Sequence, residues 1–192
     1  MARWQPDTPY RLVVAAVDLF TEQGYDATTV AQIAERAGVT KSTFFRHFSD
    51  KRELLVAGQE TLSRLFAEGI AEAPGDASPI EAVAAGLERA SGAMGQANRE
   101  LGPRLKAAVA ASTELQERDA LKTVGLAAAM TDALVARGVP ELTAHLAAEL
   151  GVLAFKRGFT QWSETDREDG EGLAPYALAA LRDLRAATAS LD

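Results

Sequence analysis

Cysteine is absent from this chain of 192 residues, which excludes a disulfide framework and thiolate chemistry. Histidine occurs only at His47 and His145, and two histidines cannot supply a metal site by themselves. No stretch approaches the ~18 apolar residues that a membrane-spanning helix needs, and the first residues lack the apolar core of a signal peptide. We therefore expect a cytoplasmic protein that requires no metal or other cofactor.

The sequence also lacks the short motifs that mark common enzymes. It contains no nucleophile elbow, no glycine-rich phosphate loop, no HExxH and no cysteine cluster. A helical-bundle enzyme with an unrecognised carboxylate pair stays an alternative, although no spacing nominates such a pair. We expect the chain not to be an enzyme.

The net charge of −7 is distributed unevenly along the chain. Residues 1–55 contain 7 Lys and Arg and 7 Asp and Glu, whereas residues 56–192 contain 13 and 20. Lys41, Arg46, Lys51 and Arg52 lie close together in the neutral part. Since local charge governs a contact surface more than total charge, the acidic balance does not exclude a polyanionic partner for residues 1–55.

Helical periodicity recurs along the chain, and we find neither a strand pattern nor an internal repeat. The sequence predicts an all-α fold of about nine helices. Some of the predicted helix boundaries depend on one or two residues. Gly102-Pro103 should interrupt a helix, and Ser78 with Glu81 should form the N-terminal cap of another. The predicted helices there span residues 50–72, 79–95 and 105–111.

The segment 28–55, TTVAQIAERAGVTKSTFFRHFSDKRELL, predicts two short helices joined by a tight turn. Thr29 and Gln32 have the spacing of a capping box at the first helix. Gly38 can end that helix in the left-handed conformation, and Thr40 can cap the next one. The second helix places Phe44 inward and polar residues outward. This is the plan of a helix-turn-helix, in which the second helix enters the DNA major groove.

The same region resembles the TetR/AcrR family of bacterial transcriptional regulators. The resemblance rests on AAVDLFTEQGYDATTV, AQIAERAGVTKSTFFRHF and SDKRELL, which together cover about a quarter of the chain. It implies a homodimer formed through the two C-terminal helices and a small-molecule effector bound by the middle helices. The family usually has a tyrosine where this chain has Phe45, so a hydroxyl that can bond a phosphate is lost.

The side-chain chemistry of the candidate DNA-binding residues separates base contacts from phosphate contacts. Lys41 suits a guanine edge or a phosphate, and Thr43 can offer a hydroxyl or a methyl group to a base edge. Phe45 suits a thymine methyl or a sugar. The others suit phosphates, which fix register without specifying sequence, although capping is the firmer role of Thr29. Arg46 suits either the DNA backbone or a carboxylate of its own domain, and a merely polar helix face is the alternative for the whole set. The predicted DNA-binding residues are Thr28, Thr29, Lys41, Ser42, Thr43, Phe45, His47 and Lys51.

Small residues at helical spacing mark the last two predicted helices. They allow close helix packing, either between two subunits or within the core of one chain. We predict a dimer interface because a helix-turn-helix protein needs two half-sites for sharp specificity. The predicted interface residues are Ala144, Ala148, Gly151, Ala154, Gly158, Ala177, Ala180 and Leu184.

The middle helices offer candidates for an effector pocket, with ordinary core packing as the alternative. The segment GVLAFKRGFTQW resembles a TetR subgroup linked to mycofactocin-type regulators, for which an acyl-CoA effector is implied. The effector should then be small and apolar or amphipathic. The candidate lining residues are Met94, Met130, Phe155, Phe159 and Trp162.

These patterns together predict a DNA-binding domain in residues 1–55 and an effector-binding and dimerisation domain in residues 56–192. We expect a homodimeric, sequence-specific transcriptional regulator, a repressor that a small effector releases from a palindromic DNA operator. A ligand-independent regulator with a filled core is the main alternative.

Overall fold

The computed structural model describes residues 8–165 and 171–190. Within these ranges the chain forms nine α-helices and one short 3₁₀ helix, Glu53–Val56, as the all-α prediction requires. None of the described helices combines the length and apolarity needed to cross a membrane. The α-helices are α1 Thr8–Gln23, α2 Val30–Arg36, α3 Lys41–His47, α4 Gln59–Glu72, α5 Pro79–Gly92, α6 Gln96–Ala110, α7 Thr113–Ala136, α8 Glu141–Glu164 and α9 Ala174–Thr188.

The first of two compact units comprises residues 8–57 and 104–121 of the described chain. Its core contains Leu12 of α1, Ile33 of α2 and Phe44 of α3, all fully buried. Leu115 at the start of α7 is buried in the same cluster. The unit thus includes residues 104–121 in addition to most of the predicted domain 1–55. That DNA binding belongs to residues 1–55 and effector binding to residues 56–192 remains a prediction.

The second unit comprises the described residues from 58–103 and 122–190, and is built around α5 and α8. Helix α5 packs on α4, α8 and α9, and α8 packs on α9. The core contains the fully buried side chains of Phe66, Leu87 and Leu134. Ser78 and Glu81 form the predicted capping box at the start of α5.

Two predicted helix boundaries were wrong. The helix expected over 50–72 is broken at Gly58, whose φ of 77° cannot continue a right-handed helix, and α4 begins only after it. The interruption expected at Gly102-Pro103 is absent, because α6 runs through Pro103. A proline removes one helical hydrogen bond, and burial of Leu101 and Ala108 on either side of it offsets that loss.

Two arginines cap distant helix ends within the second unit. Arg137 donates to the carbonyl oxygens of Ile70, at 3.1 Å, and Ala73, at 2.9 Å, where α4 ends. Arg99 donates to the carbonyl oxygen of Trp162, at 3.0 Å, near the end of α8. Both cations donate to carbonyls at a helix C-terminus, and their charge opposes the negative end of the helix dipole.

Candidate nucleic-acid interface

The turn between α2 and α3 is fixed by local hydrogen bonds. The side chain of Thr29 accepts from the Gln32 backbone N–H, and the Gln32 side chain accepts from the Thr29 N–H at 2.8 Å, which completes the predicted capping box. Gly38 has a φ of 69°, so the chain turns there without steric cost. Thr40 then caps α3 by accepting from the Thr43 N–H at 3.1 Å.

Aromatic packing fixes which side of α3 faces inward. Phe44 is fully buried, and its ring contacts those of Phe45 and Phe48 at centroid distances of 5.4 and 5.8 Å. Because α3 has only seven residues, burial of Phe44 leaves its other faces turned to solvent. A short helix anchored on one side in this way presents a fixed surface for binding.

Four of the eight predicted DNA-binding residues lie on the exposed part of α3. Phe45 leaves 54% of its surface open, which is unusual for a large apolar side chain. Lys41, Ser42 and His47 are exposed and form no hydrogen bond or ion pair with other described residues. The helix therefore offers a partner the Lys41 ammonium, the Ser42 hydroxyl, the His47 imidazole and the exposed Phe45 ring.

The hydroxyl groups of three predicted threonines are already engaged. Thr29 and Thr43 use theirs in the caps of α2 and α3, and Thr43 is only half exposed. Thr28 is just 1% exposed, and its Oγ1 donates to the Gly24 carbonyl at 2.7 Å while accepting from Gln23. These contacts hold the turn together, and they bury the Thr28 hydroxyl inside the unit.

Lys51, the last of the predicted set, is half-buried and points into its own unit. Its Nζ donates to the carbonyl oxygen of Tyr25 at 2.6 Å and to that of Thr28 at 3.0 Å. The same ammonium lies 3.9 Å from the centre of the Tyr25 ring. The structure thus brings together Lys41, Ser42, Phe45 and His47 on the exposed part of α3, whereas the Lys51 ammonium contacts its own unit.

Ion pairs distinguish the cations near α3. Arg36 forms a two-pronged pair with Glu22, with N–O distances of 2.9 and 2.8 Å, and this hydrogen bonding lowers the pKa of the Glu22 carboxyl. Arg52 pairs with Asp50 and lowers the pKa of that carboxyl in the same way. Arg46, by contrast, is exposed and pairs with no carboxylate among the described residues. Arg46 and Lys41 are therefore both cations without an ion-pair partner in the described part of the chain. The sequence left the partner of Arg46 undecided, because only the fold shows which carboxylates lie near it.

The five candidate effector residues lie in the packed core of the second unit. Phe155 meets Phe66 edge-on at 5.2 Å and lies 6.3 Å from Phe159, whose ring is 5.8 Å from that of Trp162. Met130 is fully buried, and a Cβ added at Gly151 would lie 2.5 Å from its Cε. The remaining candidate, Met94, is partly buried against the same core.

The candidate interface residues also pack within one chain. Ala144, Ala148, Ala154 and Ala177 are fully buried, and Gly151, Gly158 and Ala180 are buried with them, while Leu184 is half-buried. A Cβ on Gly158 would lie 2.6 Å from the backbone of Ala177, which shows how closely α8 approaches α9. The small residues therefore allow close packing inside the chain, and a dimer interface through them stays a prediction.

Comparison with known proteins agrees with this geometry. Residues 12–57 match the family model of bacterial regulatory proteins, tetR family. The match covers 46 of the 192 residues and spans the helix-turn-helix described above.

Sequence similarity to TetR-type regulators is concentrated in the N-terminal part. The chain is 37% identical over 73 residues to the HTH-type transcriptional regulator TcmR of Streptomyces glaucescens. This match covers 38% of the chain and 32% of TcmR, so the chain spans about a third of that relative's length.

Solved structures share the fold over nearly the whole chain. A TetR-family transcriptional regulator from Syntrophomonas wolfei superposes with a TM-score of 0.63 at 16% identity, covering 96% of both chains. The transcriptional regulator FadR of Bacillus subtilis, solved with stearoyl-CoA, superposes with a TM-score of 0.56 at 20% identity, covering 91% of this chain and 96% of FadR. At these identities the likeness establishes a TetR-like fold alone, and no match distinguishes the mycofactocin-type subgroup.

Proposed function

We propose that this protein is a cytoplasmic, homodimeric repressor that binds a palindromic DNA operator through α3. The observation that carries the proposal is the exposed face of α3, where Lys41 and Arg46 form no ion pair with the residues that the structure describes and lie beside the open ring of Phe45. Free cations bind phosphates and guanine edges, and an exposed ring suits a thymine methyl or a sugar.

Selection of bound fragments from random duplex DNA tests this function directly. We expect the enriched fragments to share a palindrome whose half-sites lie about 34–36 Å apart or a multiple of that distance. Failure to enrich any sequence, together with no binding to duplex DNA at low salt, would contradict the proposal.

Leucines exposed on α8 support the dimer. Leu142, Leu146 and Leu153 are 73%, 58% and 45% exposed and recur at spacings that place them along one side of the helix. Exposed apolar side chains aligned in this way are typical of a contact surface. Leu146→Arg should therefore shift the protein to monomer in sedimentation without loss of helical content. A dimer that persists in this variant would place the contact surface elsewhere.

Release by a small effector is the regulatory part of the proposal. The effector must prefer the conformation that does not fit the operator, and it can shift the balance only by its difference in affinity. FadR of Bacillus subtilis, which has the same fold, was solved with stearoyl-CoA, and this supports an apolar or amphipathic ligand such as an acyl-CoA. Since Met130 and Phe155 are buried in packed surroundings, an effector there would have to bind a more open conformation.

That packing also favours a second candidate, a ligand-independent regulator with a filled core. Thermal unfolding in the presence of an acyl-CoA series separates the two. A ligand at 100 times its dissociation constant should stabilise the protein by about 2.7 kcal/mol, whereas a core that never opens gives no shift. The same ligand must also weaken operator binding, since stabilisation alone does not demonstrate regulation.

A further inference from the structure

The charge of Lys51 is directed at the chain's own backbone. Its ammonium donates to two carbonyl oxygens, those of Tyr25 and Thr28, at 2.6 and 3.0 Å, and it lies against the face of the Tyr25 ring. An ammonium has three donors, so two of them are committed to these carbonyls. Charge-assisted hydrogen bonds of this kind are about twice as strong as neutral ones.

These contacts join two segments that flank the helix-turn-helix. Tyr25 and Thr28 lie in the loop that leads into α2, and Thr28 directly precedes the capping residue Thr29. Lys51 lies in the segment that follows α3, which ends at His47. One side chain therefore connects the entry to α2 with the exit from α3.

The loop to which Lys51 is tied is itself held firmly. The ring of Tyr25 is buried against Phe20 at a centroid distance of 5.1 Å, and its hydroxyl donates to Glu114 Oε1 at 3.0 Å. The Thr28 N–H donates to the Tyr25 carbonyl at 3.1 Å, which closes the turn. Lys51 thus connects the exit from α3 to a rigid point of its unit.

We propose that Lys51 is a positioning residue for DNA recognition: it fixes α3 relative to the loop before α2 and does not itself bind a phosphate. The inference rests on the proposed function and assigns Lys51 a different role from the phosphate contact that its sequence position predicts. Lys51 therefore affects the affinity for the operator by fixing the position of α3.

Binding a phosphate instead would require the Lys51 ammonium to give up its two carbonyls. Removing the charged donor from a half-buried carbonyl has a free-energy cost, and the new contact with the phosphate would have to compensate for that cost. Lys41 and Arg46 face no such cost, because they are exposed and unpaired among the described residues. The phosphate contacts of this unit are therefore better supplied by those two side chains.

The salt dependence of operator binding tests the proposal. Each phosphate neutralised by a cation contributes about −0.9 to the slope of log Kobs against log salt concentration on duplex DNA. We compare wild type with Lys51→Met, which keeps the apolar stem, and with Arg46→Ala as the control that removes an exposed cation. Lys51→Met should bind the selected operator about ten-fold more weakly with an unchanged slope, whereas Arg46→Ala should lose about 0.9 of the slope. A slope reduced by about 0.9 in Lys51→Met would overturn the positioning role.

Lysine acetylation of the wild-type protein tests whether Lys51 contacts a DNA phosphate, even if Lys51→Met does not fold. The protein is treated briefly with acetic anhydride, free and bound to the operator, and each lysine is quantified by mass spectrometry. Lys51 should react more slowly than Lys41 in the free protein, and operator DNA should slow only Lys41. Strong protection of Lys51 by the operator would overturn the proposal. A wild-type protein that binds no selected duplex would instead refute the proposed function, and the role of Lys51 with it.

Discussion

The close approach of α8 and α9 at Gly158 leads to a sharp stability prediction. A Cβ at this position would lie 2.6 Å from both Cα and N of Ala177 and 2.9 Å from the carbonyl carbon of Tyr176. These are backbone atoms, so no side-chain rotation can relieve the overlap. Ordinary carbon contacts are about 3.5–4.0 Å, and Gly158→Ala must therefore separate the two helices by about 1 Å.

Gly125→Ala provides the matched control. Gly125 also lies inside a long helix of the second unit, but its Cβ would meet only the end of the flexible Gln59 side chain, at 2.3 Å. Both substitutions gain about 1 kcal/mol in helix propensity. The difference between the two variants therefore isolates the cost of overpacking, which is about 1–3 kcal/mol.

Thermal unfolding followed by circular dichroism measures this difference. For a chain of 150–250 residues, 1 kcal/mol shifts Tm by about 2–4 °C, so Gly158→Ala should melt about 2–12 °C below Gly125→Ala. All samples need the same protein concentration, because the proposed dimerisation would make Tm depend on concentration. Equal melting temperatures would refute the close α8–α9 contact and would return Gly158 to the surface between two copies.

Three further predictions concern single side chains. Lys41→Ala should weaken operator binding by about 1–3 kcal/mol if Lys41 contacts a base, and unchanged affinity at fixed salt would remove it from the interface. Arg137→Met should lower the free energy of unfolding by about 1–2 kcal/mol, since the end of α4 loses its donor, and an unaltered urea midpoint would contradict this. Burial, and then the hydrogen bond to Glu114, raise the pKa of the Tyr25 hydroxyl. Because the unfolded value is about 10, the stabilisation that accompanies this raised pKa should be complete below about pH 10 and should decline progressively as the pH rises further. Tyr25→Phe should abolish that decline between about pH 10 and 11.

Local sequence determined the elements of the DNA-binding domain. The capping box of Thr29 and Gln32, the turn at Gly38 and the cap at Thr40 involve residues a few positions apart, so each can be derived without knowing the fold. The same holds for the nine helices, because an apolar stripe with helical spacing is a property of each segment. This reasoning failed at Gly58, whose left-handed backbone ends the helix, and at Pro103, where the helix continues between the buried Leu101 and Ala108.

Tertiary structure decided what each side chain faces. Lys51 and Thr28 have the residue types of phosphate contacts, yet the fold places acceptors and donors of the same chain against them. Gly158 has the character of an interface residue, but α9 of the same chain already fills the space beside it. A residue's type and helical position state what it can bind, whereas its partner depends on residues far away in the sequence, which only the folded chain brings into contact.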